Sequence, residues 1–405
     1  MFSEKNPADL SPLSKVEATN LAELSRIVAA AREAQTEWAE RSVDSRARAL
    51  LSLARTLLER RAEVLPILSE ETGRSETECL MSELAGAVEF FKQAIRAGKK
   101  ALAPEKIKIS ALEYPGKKAV VELLPRGVVG IIAPWNYPLG NFMKALVPAL
   151  LSGNAVVLKP SEQTPRTGAW LAMITGDVLP KNLVGLVQGA GDVGQALLDA
   201  PIDAIVFTGS VTTGRRVAVR AAERLMPYSV ELGGKDAAIV LADCDLDRTV
   251  AGIAQWGMHN SGQNCSGIER VYVEASIADQ FVEKLGRFVA SLRVSPQTAA
   301  SDLGPLQNEP QLRIVERHVS DAKERGARVV CGGEPTGKGF GYRPTVLDRC
   351  THEMTVMREE TFGPVAPIIA FDTVDEAIAI VNASAYGLSS SVCTQRLDHI
   401  TRFVQ

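Results

Sequence analysis

Apolar residues recur at helical spacing through the first hundred positions. In LAELSRIVAAAREAQTEWAER, Leu21, Leu24, Ile27, Val28 and Ala31 fall three and four apart, on one face of a helix. SRARALLSLARTLLERRAEVLPILSEETG repeats the pattern and stops near Gly73. Both read as plain packing helices. Near residue 106 the period shortens. KIKISALEYPGKKAVVELLPRGVVGIIAPWN alternates, turns at Pro115-Gly116, alternates again and runs apolar from Gly127 to Ala133. That predicts a β-hairpin over 106–124 leading into a buried strand.

Strand and helix patterns then take turns. NFMKALVPALLSG predicts a helix ending at Gly153, and NAVVLKP a short buried strand. TGAWLAMITGDVL and LVGLVQG repeat the pair, followed by the strand DAIVFTGS and the helix VTTGRRVAVRAAERL. Continuous apolar strands separated by helices argue for an α/β fold with a parallel sheet covered on both faces. After Glu231 the alternation restarts with DAAIVLA, a helix led by Asp247, IERVYVEA and IADQFVEKLGRFVASL, so a second α/β unit is expected to begin near residue 235. No repeat or Gly/Ser linker is visible. The two units are expected to share a cleft, because such sheets bind ligands beyond the carboxyl ends of their strands.

Composition narrows the function classes. The 405 residues allow two or three domains, and 46% hydrophobic with 23% charged residues is ordinary for a globular chain. A net charge of −3 supplies no global field for nucleic acid or an anionic membrane, so neither is expected as a partner. The arginines between Arg215 and Arg224 read as a solvated helix face. MFSEKNPADL lacks a signal-peptide pattern, and the apolar stretches are too short or too broken to span a bilayer. Six scattered cysteines fit a reducing cytoplasm, which is the expected location, and neither a disulfide framework nor a zinc site. Four scattered histidines without HExxH leave no metal expected.

Five short stretches carry candidate chemistry. GAGDVG (Gly189, Gly191, Gly194) matches GxGxxG, but no acidic residue clearly ends the next strand, so it reads better as a turn near an adenine than as a pyrophosphate loop. FTGSVTTG ends a strand and opens a helix. Gly209 and Gly214 allow close backbone approach and Ser210 can donate to a phosphate, although a capped helix start explains the stretch equally well. APWNYP holds Asn136 between two prolines, either as an oxyanion-stabilising amide or as a plain Pro-aromatic turn. ELGGK sets Glu231 at a strand end beside two glycines, as a general base with a raised pKa or as a solvated loop residue. In HNSGQNCSGIERVYVE, Cys265 sits in a Gly-rich turn where a core thiol gains nothing, which marks it as the candidate nucleophile. A Cys-His hydrolase is disfavoured, since His259 is the only histidine nearby in sequence and is expected on the preceding helix.

PWNYP, KPSEQTP, FTGS, ELGGK, GQNC and EETFGPV occur in the order seen in the aldehyde dehydrogenase superfamily, which the chain resembles over nearly its whole length. GQNC followed by SGIERVYV is most similar to the branches that include the plant family 22 enzymes. The resemblance implies two Rossmann-like parallel-sheet domains: an NAD-binding one over 1–105 and 125–232, and a catalytic one over 233–405. The hairpin 106–124 would serve oligomerisation. It implies Cys265 as nucleophile, Glu231 as base, and Asn136 with the Cys265 backbone N–H as oxyanion hole. Lys159 and Glu162 would contact the adenosine ribose. Trp135, Gly191, Gly209, Ser210 and Gly214 would line the adenine and pyrophosphate, and Glu360 and Phe362 would hold the nicotinamide ribose and ring.

The reaction so implied oxidises a small-molecule aldehyde to a carboxylic acid through a cysteine thioester. A CoA-acylating dehydrogenase and a non-catalytic binding member are the alternatives; the presence of Glu231 weighs against the first. NAD is expected, with NADP open, because a carboxylate at Glu162 can accept from a ribose 2′-OH and would repel a 2′-phosphate. The family usually continues several tens of residues past Gln405, through a PFGG-like segment and a last strand that line the substrate tunnel and build the interface. With that part intact, a homodimer or homotetramer is expected.

Overall fold

Two runs of five consecutive buried residues, Ala155–Lys159 and Asp236–Val240, lie in two separate sheets. The computed structural model describes residues 4–294 and 301–404, and these divide into two compact units. Ser14–Leu68 and Thr77–Glu231 belong to the first. Lys5–Leu13, Ser69–Glu76 and the chain from Leu232 onward belong to the second.

The first unit opens with helices Leu21–Glu40 and Val43–Glu59 and most of Arg61–Thr72, whose last residues, from Ser69, belong to the second. The second apolar run is thus broken at Arg60. Pro66 has no N–H to offer the carbonyl four residues back, so one unbroken ladder through this stretch is disfavoured. Gly73, at φ +70°, ends the run as expected, its N–H donating to the Ser69 carbonyl at 2.8 Å. The hairpin pairs β1 (Glu105–Ile107) with β2 (Ala119–Val121), antiparallel. It is short and solvated, with Leu112, Val120, Val121, Leu123 and Leu124 all exposed.

β3 (Val128–Ile132), β4 (Ala155–Lys159), β5 (Val184–Leu186), β6 (Ala204–Thr208) and β7 (Tyr228–Glu231) form a five-stranded sheet in the order β5-β4-β3-β6-β7, every neighbour parallel. Three of the intervening helices, Gly140–Leu151, Gly191–Asp199 and Val211–Glu223, each follow a strand closely.

The second sheet holds β8 (Asp236–Val240), β9 (Ile268–Glu274), β10 (Arg328–Cys331), β11 (Thr345–Asp348), β12 (Val365–Phe371) and β13 (Ser390–Cys393), in the order β10-β11-β12-β9-β8-β13. Only the β10–β11 pair is antiparallel. Alternate residues supply two cores. Ala237 and Ile239 face one, with Val315 and Val319; Ala238 and Val240 face the other, with Ile253, Phe281 and Leu285. Burial on both faces is why these strands read as continuous apolar runs. The helix after β8 starts at Leu246 and is capped by Asp245, whose side chain accepts from the Arg248 N–H at 3.2 Å. Asp247, expected to lead it, lies in the first turn, where its charge suits the positive end of the helix. No described helix is long and apolar enough to cross a membrane.

Candidate active site

In the first unit, the predicted residues gather where strands end. Lys159 is the last residue of β4 and is 4% exposed. Its Nζ donates to the Pro160 carbonyl at 2.9 Å and lies 3.9 Å from the Glu162 carboxylate. Burial pulls the Lys159 ammonium below its ordinary pKa, while the charges of Glu162 and Asp192 offset this. A held ammonium beside a part-exposed carboxylate offers one donor and one acceptor, the complement of a ribose diol. On β3's side of the same edge, the Ala133 N–H donates to the Lys159 carbonyl at 3.2 Å, which ties the APWNYP loop to β4.

Asn136 is buried in that loop, next to the half-buried Trp135. Its Oδ1 accepts from Asn141 Nδ2 at 3.2 Å, an arrangement that turns its own NH2 the other way. The loop is fixed from outside as well. The Glu83 carboxylate accepts from the backbone N–H groups of Leu139 and Gly140 at 3.2 and 2.8 Å, at the start of the helix Gly140–Leu151. A carboxylate at a helix N-terminus is favourable.

Gly209 and Glu231 are brought together: the Gly209 N–H donates to the Glu231 carbonyl at 3.0 Å, with Glu231 exposed at the end of β7. A Cβ at Gly209 would lie 2.6 Å from the Phe207 ring, so a larger residue in the turn after β6 would have to displace that ring. Ser210 caps the helix Val211–Glu223, accepting from the Thr213 N–H at 3.3 Å, and Gly214 is buried in its first turn. Gly191 opens the helix Gly191–Asp199 after β5. It is exposed, and no neighbouring atom lies within 4 Å of where its Cβ would be.

In the second unit, the predicted site residues stand at the opposite edge. Gly233, Gly234 and Lys235 lead into β8, Cys265 precedes β9, and Glu360 and Phe362 precede β12. These are amino ends, so the predicted site residues of this unit do not lie beyond the carboxyl ends of their strands, where they were expected. The reason is that parallel strands expose loops at both edges, and the apolar pattern does not say which edge carries the chemistry.

Cys265 is half-buried. Burial raises the pKa of Cys244, Cys331, Cys350 and Cys393, Cys350 to about 12, and Cys79 is fully buried. Just before the Cys265 turn, Asn260, Ser261 and Gly262 all have left-handed backbones, at φ 53°, 55° and 71°. Each non-glycine there costs roughly 1–2 kcal/mol. Buried hydrogen bonds hold the strain. Ser261 Oγ donates to the Gly304 carbonyl at 2.6 Å, and Gln263 Nε2 donates to the carbonyls of Asn260 and Pro305 at 3.0 and 3.2 Å. Gln263 Oε1 accepts from the Gln307 N–H at 2.8 Å. His259 lies just past the end of its helix rather than on it, and burial lowers its pKa.

The two glycines of ELGGK separate two groups. A Cβ at Gly233 would overlap the Glu360 carboxylate, and one at Gly234 would lie 2.5 Å from the Cys265 carbonyl oxygen. Glu360 Oε1 accepts from the Gly234 N–H at 3.1 Å. Burial, reinforced by the Glu269 charge, pushes its carboxyl up to about 7. Asp236, at the head of β8, is also raised, chiefly by burial. Sequence reasoning passed over Lys235 and Glu269, which form a fully buried ion pair at 2.6 Å. The signal was present: IERVYV puts two charges at the head of a buried strand, which requires partners.

Comparison with known proteins identifies the family. The pattern of the Aldehyde dehydrogenase family matches residues 1–405. Lactaldehyde dehydrogenase of Escherichia coli (strain K12) is 37% identical over 401 residues, 97% of this chain and 82% of that protein. The crystal structure of a Mycobacterium tuberculosis aldehyde dehydrogenase complexed with NAD+ superposes with a TM-score of 0.94 at 36% identity, covering 100% of this chain and 84% of that one. An E. coli NADP dependent enzyme superposes with a TM-score of 0.95 at 31% identity, covering 99% and 84%. With the family pattern matching the whole chain and a relative 37% identical over 97% of it, the chain belongs to the aldehyde dehydrogenase family.

Proposed function

We propose that this chain oxidises an aldehyde to a carboxylic acid through Cys265, with NAD as the preferred hydride acceptor and NADP as the alternative. The observation that carries the reading is Cys265 itself, a half-buried thiol on a turn whose strained backbone is held by buried hydrogen bonds. Strain of this kind persists where the surroundings over-determine it, and it clusters at functional sites.

The thiolate of Cys265 adds to the carbonyl carbon, and the π electrons move to oxygen. Asn136 Nδ2 and the Cys265 N–H stabilise that oxyanion, each donor worth about 3 kcal/mol. A nicotinamide cofactor held by the residues named below would supply the acceptor for the hydride leaving this carbon. The collapsed oxyanion leaves a thioester on Cys265. Glu231 takes a proton from water, the hydroxide adds to the thioester, and the Cys265 thiolate departs with release of the acid. Lys159 and Glu162 hold the adenosine ribose, and the Glu162 carboxylate disfavours a 2′-phosphate. Trp135, Gly191, Gly209, Ser210 and Gly214 line the adenine and pyrophosphate. Glu360 and Phe362 hold the nicotinamide ribose and ring.

The solvated apolar residues of the β1–β2 hairpin support a homodimer or homotetramer, and the free, scattered cysteines support a cytoplasmic setting. The test is NADH formation across aliphatic, aromatic and carboxylated aldehydes. Cys265→Ala is expected to abolish turnover, by about 10⁴-fold or more, while cofactor binding persists. Glu231→Gln is expected to give an NADH burst followed by a slow steady state. A Cys265→Ala enzyme that still turns over would overturn the reading, and an unchanged steady state in Glu231→Gln would remove Glu231 from its role.

A further inference from the structure

The turn that carries Glu360 and Phe362 is specified almost wholly by side chains. Glu269, 4% exposed at the start of β9, accepts from the Thr361 N–H at Oε2 and from the Phe362 N–H at Oε1, each at 2.7 Å. The same Oε2 accepts from Lys235 Nζ at 2.6 Å, and Lys235 Nζ also donates to Thr361 Oγ1 at 3.0 Å. Arg270 Nε fixes the Lys235 backbone by donating to its carbonyl at 2.7 Å. On the other side of the turn, Gln311 Nε2 donates to the carbonyls of Thr361 and Phe362 at 2.8 and 3.0 Å. His318 Nδ1 lies 3.1 Å from Thr361 Oγ1.

Each backbone N–H and C=O of Thr361 and Phe362 thus meets a side chain. Phe362 sits at φ +50°, a left-handed backbone that an aromatic residue adopts only when held there. A buried carboxylate satisfied by one ammonium and two amides is a rigid anchor.

We propose that Glu269, charge-paired with Lys235, is a positioning residue for the nicotinamide end of the cofactor, through its two bonds to the backbone of the Glu360–Phe362 turn. The inference rests on the reading that Glu360 and Phe362 hold the nicotinamide ribose and ring. Neither Glu269 nor Lys235 need touch the cofactor. Their effect is to fix where the Glu360 carboxylate and the Phe362 ring stand.

Three variants test it: Glu269→Gln, which leaves Lys235 buried without its counter-charge; Lys235→Met with Glu269→Gln, which removes both charges together; and Glu360→Gln. KM for NAD, kcat, and inhibition by ADP, which carries only the adenosine end, are measured for each. Glu269→Gln and the double variant are expected to raise KM for NAD about tenfold, the loss of one charge-assisted bond, with ADP inhibition unchanged. If Glu269→Gln does not fold, the double variant decides. A double variant with KM for NAD within about twofold of the parent overturns the inference, and so does one that weakens NAD and ADP alike. Glu360→Gln separates the two readings. If it raises KM for NAD and the double variant does not, the positioning role fails alone; if Glu360→Gln leaves KM unchanged, the assignment of Glu360 fails first.

Discussion

In the first unit, the residues assigned to cofactor and oxyanion follow β3, β4, β5 and β6, and Glu231 ends β7. In the second, Cys265, Glu360 and Phe362 come before β9 and β12. The difference decides what each site is made of. At a carboxyl edge the chain runs on into a helix, so backbone N–H groups and the positive end of the helix face whatever lies there. The helices Gly140–Leu151, Gly191–Asp199 and Val211–Glu223 all start at that edge. At the amino edge of the second sheet, the helix Leu246–Met258 arrives by its negative end shortly before Cys265. The second unit instead builds its site from buried side-chain bonds: Gln263 under the cysteine turn, and Glu269, Lys235 and Gln311 around the Phe362 turn.

The largest effect expected of that contrast is at Gly234. A methyl there meets the Cys265 carbonyl at 2.5 Å and Asp236 Oδ1 at 2.8 Å. The Cys265 carbonyl is backbone, so the cysteine turn must shift. Gly234→Ala is expected to lower kcat/KM by about a hundredfold, as a displacement near 1 Å does, and to slow alkylation of Cys265 by iodoacetamide. Wild-type rates in both assays would break the claim that the second unit is packed without slack around its thiol.

The next effect is electrostatic and separates the units by pH. Glu360, raised to about 7, is faced by Glu269 and Asp236, which raise it further, and by Lys235 and the Gly234 N–H, which lower it. A carboxyl that titrates near 4.5 unfolded and near 7 folded binds more protons in the native state between those values. Stability therefore falls as pH rises from about 4.5 to about 7, and is level above that. Glu360→Gln removes the penalty. Urea denaturation of the cofactor-free protein should show the variant more stable by about 2 kcal/mol at pH 8, with the gain gone near pH 4.5. A pH-independent difference would show that Glu360 acts through shape and not charge.

The same contrast explains what the sequence made legible. The first sheet, the opening two strands of the second, the hairpin and the restart after Glu231 were readable, because strands buried on two faces leave unbroken apolar runs such as AVVL and DAAIV; β10 to β13 were not read. The glycines and prolines that mark turns located Asn136, Gly209 and Cys265. What stayed hidden depends on contacts between distant segments. Lys235 meets Glu269 and Thr361 across 34 and 126 positions, and Gln307 reaches Glu71 across 236. No local period encodes such pairs. Asp245 and Asp247 show the same limit at short range, since two aspartates compete for one cap and only backbone geometry chooses.

The smallest effect sharpens the comparison from the first unit's side. Gly191 stands at the first position of its helix, exposed, with no neighbouring atom within 4 Å of a built Cβ. The fold does not require glycine there, and alanine is the better helix former by about 0.5–1 kcal/mol. Any need for glycine at 191 must then come from what binds. Gly191→Ala is expected to leave the melting temperature unchanged or slightly raised and to raise KM for NAD by about threefold, less than 1 kcal/mol. The split matters more than the size. In the second unit, Gly234→Ala must disturb the free protein before any cofactor arrives; in the first, the cost should appear only on binding. A Gly191→Ala protein that loses stability would show side-chain packing where backbone alone was read. One with both values unchanged would place the cofactor away from the start of this helix.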